Sequence, residues 1–136
     1  IFFSSIIFMN NVYFGHPVSL YGTVAEERLV YEIEKEFPGC HIENPNTSTH
    51  YMGYQRYKFE KGIGMLYFFE EVLPSMDVGV FLAFQDGMFG AGVYREAEFL
   101  EDSGKPIFEI NISGEISDLI LDESRFLSIE ETKERV

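Results

Sequence analysis

The chain has 136 residues, 46% of them hydrophobic and 16% aromatic, which is enough for one core and too apolar for a disordered segment. A net charge of −13 with only ten Lys and Arg argues against a nucleic-acid polymer as partner, since phosphate backbones are held by clustered cations. The lone Cys40 permits no intramolecular disulfide and suits a reducing cytoplasm, and no apolar run reaches membrane-spanning length.

Residues 1–8, IFFSSIIF, precede Met9 and lack the basic flank and small-residue cleavage site of a secretory signal. They read as an upstream extension or an added edge strand that a second subunit covers. Val12-Tyr13-Phe14 forms a short strand that runs into Gly15-His16-Pro17, where proline forbids further pairing through its own nitrogen. Thr23 and Glu26 are spaced as a capping box. Ala25, Leu29, Ile33 and Phe37 then recur every four residues, an amphipathic helix that Pro38-Gly39 stops.

Cys40-His41-Ile42-Glu43 reads as a second strand, and Asn44-Pro45-Asn46 opens a polar loop that reaches Tyr51. From Arg56 the pattern is helical again through Leu73. Apolar residues cover more than one face of it, which predicts contact with a second copy and hence a homo-oligomer. Val78 to Phe84 is the apolar run of a strand buried on both faces.

After Gln85-Asp86-Gly87 and the glycines Gly90 and Gly92, Val93, Ala97 and Leu100 mark a third helix. Ile107 to Ile112 is a further buried strand. Leu119 to Leu121 fits a strand or a short helix, and Ser128 caps a last helix. Alternating strands and helices predict a single α/β domain over residues 1–136. Its expected form is three-layered and doubly wound, of Rossmann or flavodoxin type, around a parallel sheet of four or five strands.

In such sheets ligands gather beyond the carboxyl ends of the strands, where strand order reverses, commonly between the first and third strands in sequence. Gly15-His16-Pro17 and Gln85-Asp86-Gly87 are those two ends. Gly90 and Gly92 bring backbone N–H groups to a helix N-terminus, which favours an anion. Asp77 opens the central strand nine positions before Asp86, nearly ~30 Å away if the strand were straight, and is therefore structural. His16, His41 and His50 show no metal-ligand spacing, and neither a metal nor a cofactor is expected.

VYFGHP at the first strand, DVGVFLAF at the central strand, Gly92-x-x-x-Glu96 and GKPIFEI together resemble the nucleoside 2-deoxyribosyltransferase superfamily, over about Val12 to Ile112. The resemblance implies an enzyme of the N-glycosidic bond, exchanging or hydrolysing the base of a nucleoside or nucleotide. Glu96 would be the nucleophile that attacks the anomeric carbon from the first turn of the third helix, and Tyr13 the tyrosine that touches it. Attack would give a covalent glycosyl-enzyme through an oxocarbenium-like transition state.

Asp86 would bind a ribose hydroxyl or act as an acid. Glu70, or its neighbour Glu71, would protonate the departing base. His16 stands where that family often has a small residue, and so narrows the sugar pocket or adds a hydrogen-bonding group. The alternative is a non-catalytic nucleotide-binding module on the same scaffold.

Overall fold

Five strands make one sheet in the order β2-β1-β3-β4-β5 in the computed structural model, which describes residues 9–135. They are β1 (Asn11–Gly15), β2 (His41–Glu43), β3 (Val78–Phe81), β4 (Ile107–Ile110) and β5 (Ile116–Asp118). The first four pair in parallel and β5 closes the edge antiparallel to β4. The expected α/β fold with a sheet buried on both faces is the one observed. The expectations for IFFSSIIF concern residues outside those described.

Period-two alternation divides the strand residues between two cores. Val12, Phe14, Val78, Val80, Phe108 and Ile110 face helix α1 (Val24–Glu36), which contributes Leu29 and Ile33, with Phe37 just beyond its end. Tyr13, Phe81 and Ile107 face the opposite way, toward helix α3 (Ala91–Asp102) and the segment Phe68–Ser75. Layers of helix, sheet and helix result, with the sheet strongly apolar on both sides.

The region expected as one helix from Arg56 to Leu73 is two pieces. Thr47 caps helix α2 (Ser48–Lys61) by accepting the His50 N–H at 3.2 Å, so the helix begins within the stretch expected as loop. Gly62 ends it in the left-handed conformation, φ 78°. The chain resumes in a π-type turn over Phe68–Val72 and a 3-10 turn over Leu73–Ser75. Tyr67, Phe68, Val72 and Leu73 are buried in this protein's own core, which accounts for the broad apolar character without a second copy.

The carboxyl-terminal third has defined work. The strand there is Ile116–Asp118, and Leu119–Leu121 is irregular, with Leu119 buried. Ser128 and Glu131 form a reciprocal capping box at the start of helix α4 (Ile129–Lys133). Thr132 on that helix accepts the Ala91 N–H at 2.9 Å, so α4 caps the start of α3. At the other end of the sheet, Asp77 accepts the backbone N–H groups of Asn10 and Asn11, each at 2.9 Å, which is a structural role.

Candidate active site

Strand order reverses between β1 and β3, and a cavity of about 460 Å³ opens beyond their carboxyl ends. Glu96 from α3 and Tyr13 from β1 form its floor. The Tyr13 hydroxyl donates to Glu96 Oε2 at 2.7 Å, and both side chains are buried. Glu96 is the sixth residue of α3, in its second turn rather than its first. Side chains tilt toward a helix's N-terminus, which carries the carboxyl back over the first turn.

Burial pushes the Glu96 carboxyl up from 4.5 to about 8, with the Tyr13 hydrogen bond acting in the opposite direction. A carboxylate favoured by the helix start was the expectation. Desolvation outweighs that dipole here, so the acid is mostly protonated at neutral pH. The Tyr13 phenol is itself raised well above its ordinary value, by burial and then by the adjacent Glu96.

Gly15 is what lets these groups meet. A Cβ there would stand 2.5 Å from Phe81 Cδ1 and 3.2 Å from Glu96 Oε1. Only a residue without a side chain allows the Phe81 ring and the carboxyl to share that corner.

His16 lines the same cavity, stacked on Phe14 with centroids 4.1 Å apart. Its Nδ1 lies 2.9 Å from the Phe14 carbonyl and its Nε2 lies 2.7 Å from Glu26 Oε2. Glu26 also accepts from the Gly22 N–H at 3.0 Å and from Asn46 Nδ2 at 3.1 Å. The Thr23 hydroxyl accepts the Glu26 N–H at 3.2 Å, but the Glu26 carboxylate turns to His16 instead of returning to Thr23. The expected capping box is therefore half made.

Burial lowers the His16 pKa, against the pull of Glu26 and the Phe14 carbonyl. Burial would raise Glu26, yet the donors His16, Gly22 and Asn46 hold it below its usual range. Two acceptors face the imidazole. Both bonds are satisfied only when a second proton lies on the ring or between it and Glu26.

His50, Tyr21, Asn46, Tyr54 and Gln55 also line the cavity, and none was singled out from the sequence as a site residue. His50 bridges the Tyr67 hydroxyl at 2.7 Å and Glu43 at 2.6 Å. The one available signal was position: the loop after β2 sits on the same rim as the exits of β1 and β3.

Of the residues expected at the site, Tyr13, His16, Gly92 and Glu96 line the cavity, and Gly15 abuts Glu96. Gly90 is the N-cap of α3, spaced 3.1 Å (as a built Cβ) from the Thr132 methyl group. Pro17 and Asp86 instead line a second, broader hollow of about 870 Å³. Asp86 is exposed, pairs with Arg135 at 2.8 Å and is lowered to about 2, chiefly by that guanidinium. The Phe84 carbonyl accepts the Gly87 N–H at 2.9 Å in a tight turn, which leads Asp86 away from Glu96.

Glu70 does not reach the cavity either. It pairs with Lys61 at 3.1 Å and accepts from Tyr57 at 3.1 Å, while Glu71 pairs with Arg56. The π-type turn aims both glutamates at cations on α2. Among the described residues no group of three or more His, Cys, Asp or Glu could hold a metal ion, and no helix is long and apolar enough to cross a membrane. No protein-family model, curated protein or solved structure matches this chain.

Proposed function

We propose that the protein makes or breaks the N-glycosidic bond of a nucleoside or nucleotide, with Glu96 as the nucleophile. The observation that carries this reading is the buried Tyr13–Glu96 pair at 2.7 Å on the floor of an aromatic-lined cavity at the strand-order reversal. Glu96, once deprotonated, bonds to the anomeric carbon as the carbon–nitrogen bond breaks. The carboxyl gives up its proton to solvent before attack, and the departing base takes one from water as it leaves, so charge balances. Tyr13 holds Oε2 and leaves Oε1, on the Gly15 side, as the attacking oxygen. Water or a second base then attacks the same carbon and frees Glu96, giving hydrolysis or base exchange.

Incubation with mixed deoxynucleosides and adenine tests this, read as new nucleosides or free base. Turnover that Glu96→Gln abolishes supports the mechanism, and turnover that survives the substitution overturns it.

A second reading, a non-catalytic nucleotide-binding module, is favoured by one observation. Among the described residues lining the cavity Glu96 is the only carboxyl, so no separate acid among them stands ready for the base. Tight binding without turnover would select it. We place the protein in the cytoplasm, in keeping with its single half-buried Cys40. Self-association is proposed through the exposed Met52 and Phe59 of α2, and a monomer by sedimentation would refute it.

A further inference from the structure

Resting on the reading of the cavity as a nucleoside site, we infer that it accepts the unphosphorylated compound and turns away the 5′-phosphate ester. The argument is a census of positive charge. Residues 1–8 and Val136 contain no Lys or Arg, so all ten lie among the described residues. None of them lines the cavity.

Eight are engaged elsewhere. Lys35, Lys61, Arg95, Arg125 and Arg135 pair with Glu32, Glu70, Glu98, Glu109 and Asp86. Arg28 and Lys105 donate to the carbonyls of Ile112 and Met76. Arg56 follows Gln55 in sequence, but its guanidinium turns to Glu71 at 2.8 Å. Lys58 and Lys133 are exposed on α2 and α4, away from the lining.

The helix starts at the cavity already have partners for some of their amides: Thr47 accepts the His50 N–H at the start of α2. The Ala91 N–H at the start of α3 is taken by Thr132, and Met65 covers Gly92, its Cε 3.5 Å from where a Cβ on Gly92 would stand. Glu96 on the cavity floor is mostly protonated, and Glu43 and Glu26 already hold the Nε2 atoms of His50 and His16 at 2.6 and 2.7 Å. A phosphate entering would lose its hydration and gain no counter-charge. A neutral base and sugar instead meet the faces of Tyr13, Tyr21, Tyr54 and Phe68 and the amides of Asn46 and Gln55.

The test is calorimetric binding of the four common 2′-deoxynucleosides and their 5′-monophosphates to the full chain. The expected result is that at least one nucleoside binds and its monophosphate binds about 100-fold more weakly or worse, as for a buried charge without a partner. Gly92→Leu fills the cavity and should abolish nucleoside binding, and the milder Gly92→Ala should weaken it. A monophosphate that binds as tightly as its nucleoside overturns the inference, as does the absence of any nucleoside binding or binding unaffected by both variants. Nucleoside binding without turnover sinks the enzymatic reading and leaves the charge rule standing. Turnover of the monophosphate alone does the reverse.

Discussion

Replacing Glu96 by Gln should make the protein more stable at neutral and alkaline pH, and the gain should grow with pH. In the unfolded chain this carboxyl titrates near 4.5, whereas burial raises it to about 8 in the folded protein. Between those values the folded state holds one proton more than the unfolded state, so stability is full below 4.5 and is lost as pH rises toward 8. At 1.36 kcal/mol per unit, wild type gives up roughly 3.5 kcal/mol between about pH 5 and about pH 8 through this group alone.

Glutamine does not titrate, and its carbonyl oxygen can still accept the Tyr13 hydroxyl. Urea unfolding of both proteins across that range isolates the effect, because His16, Glu26 and His50 are common to both and cancel in the difference. The two stability curves should diverge by about 1.4 kcal/mol per pH unit in the middle of the range. Curves that stay parallel would refute the desolvation argument, and with it the buried, protonated state of Glu96.

Tyr13→Phe removes the donor at 2.7 Å, and loss of a hydrogen bond that favours the carboxylate should lift the Glu96 pKa further, read from its carboxyl carbon-13 shift. Gly15→Ala places a methyl group 2.5 Å from the buried Phe81 ring and should cost about 1–3 kcal/mol by denaturant unfolding, with the Glu96 titration displaced as well. Glu26→Gln should cost about 2 kcal/mol at neutral pH. That difference should vanish as pH falls through the lowered carboxyl range, because the contribution of a depressed acid is lost on protonation.

The parts of the fold legible in the sequence are those where local and global preferences agree. Ala25, Leu29, Ile33 and Phe37 mark one face of α1, and the apolar run from Val78 to Phe84 contains the buried strand β3, which ends at Phe81, three residues short of the run. Gly15 and Glu96 were placed near one rim by the strand exit and the glycine turn before α3, whereas Tyr13 rested on the family resemblance, because strand alternation alone could aim it to either face. The failures came where a single turn decides direction. Gly62 in the left-handed conformation divides a helical pattern that continuous apolar spacing had joined. The tight turn at Gly87 sends Asp86 toward Arg135. Glu26 shows a third kind of failure: its spacing from Thr23 satisfies a capping motif, yet a histidine ten residues earlier is the stronger partner. His50 and Asn46 carry no local pattern at all, and only the closing of the sheet brings them to the cavity.

The protonated state of Glu96 makes its chemical role decidable from a pH–rate profile. Attack on an anomeric carbon needs the anion, and kcat/KM reports the ionisation of the free enzyme. With Glu96 as nucleophile, kcat/KM on a nucleoside whose base does not titrate in the range should climb about tenfold per pH unit and level off near 8, where the carboxyl ionises. With Glu96 instead serving as the acid that protonates the base, the same profile should be flat at neutral pH and fall above 8. The Tyr13→Phe variant sharpens the distinction. Its higher Glu96 pKa should carry the turning point upward in either case, which ties the inflection to this carboxyl and not to the His16–Glu26 pair. A falling limb that moves with Tyr13→Phe would overturn the nucleophilic role while keeping Glu96 at the centre of the reaction. An inflection that ignores Tyr13 would remove Glu96 from the chemistry altogether.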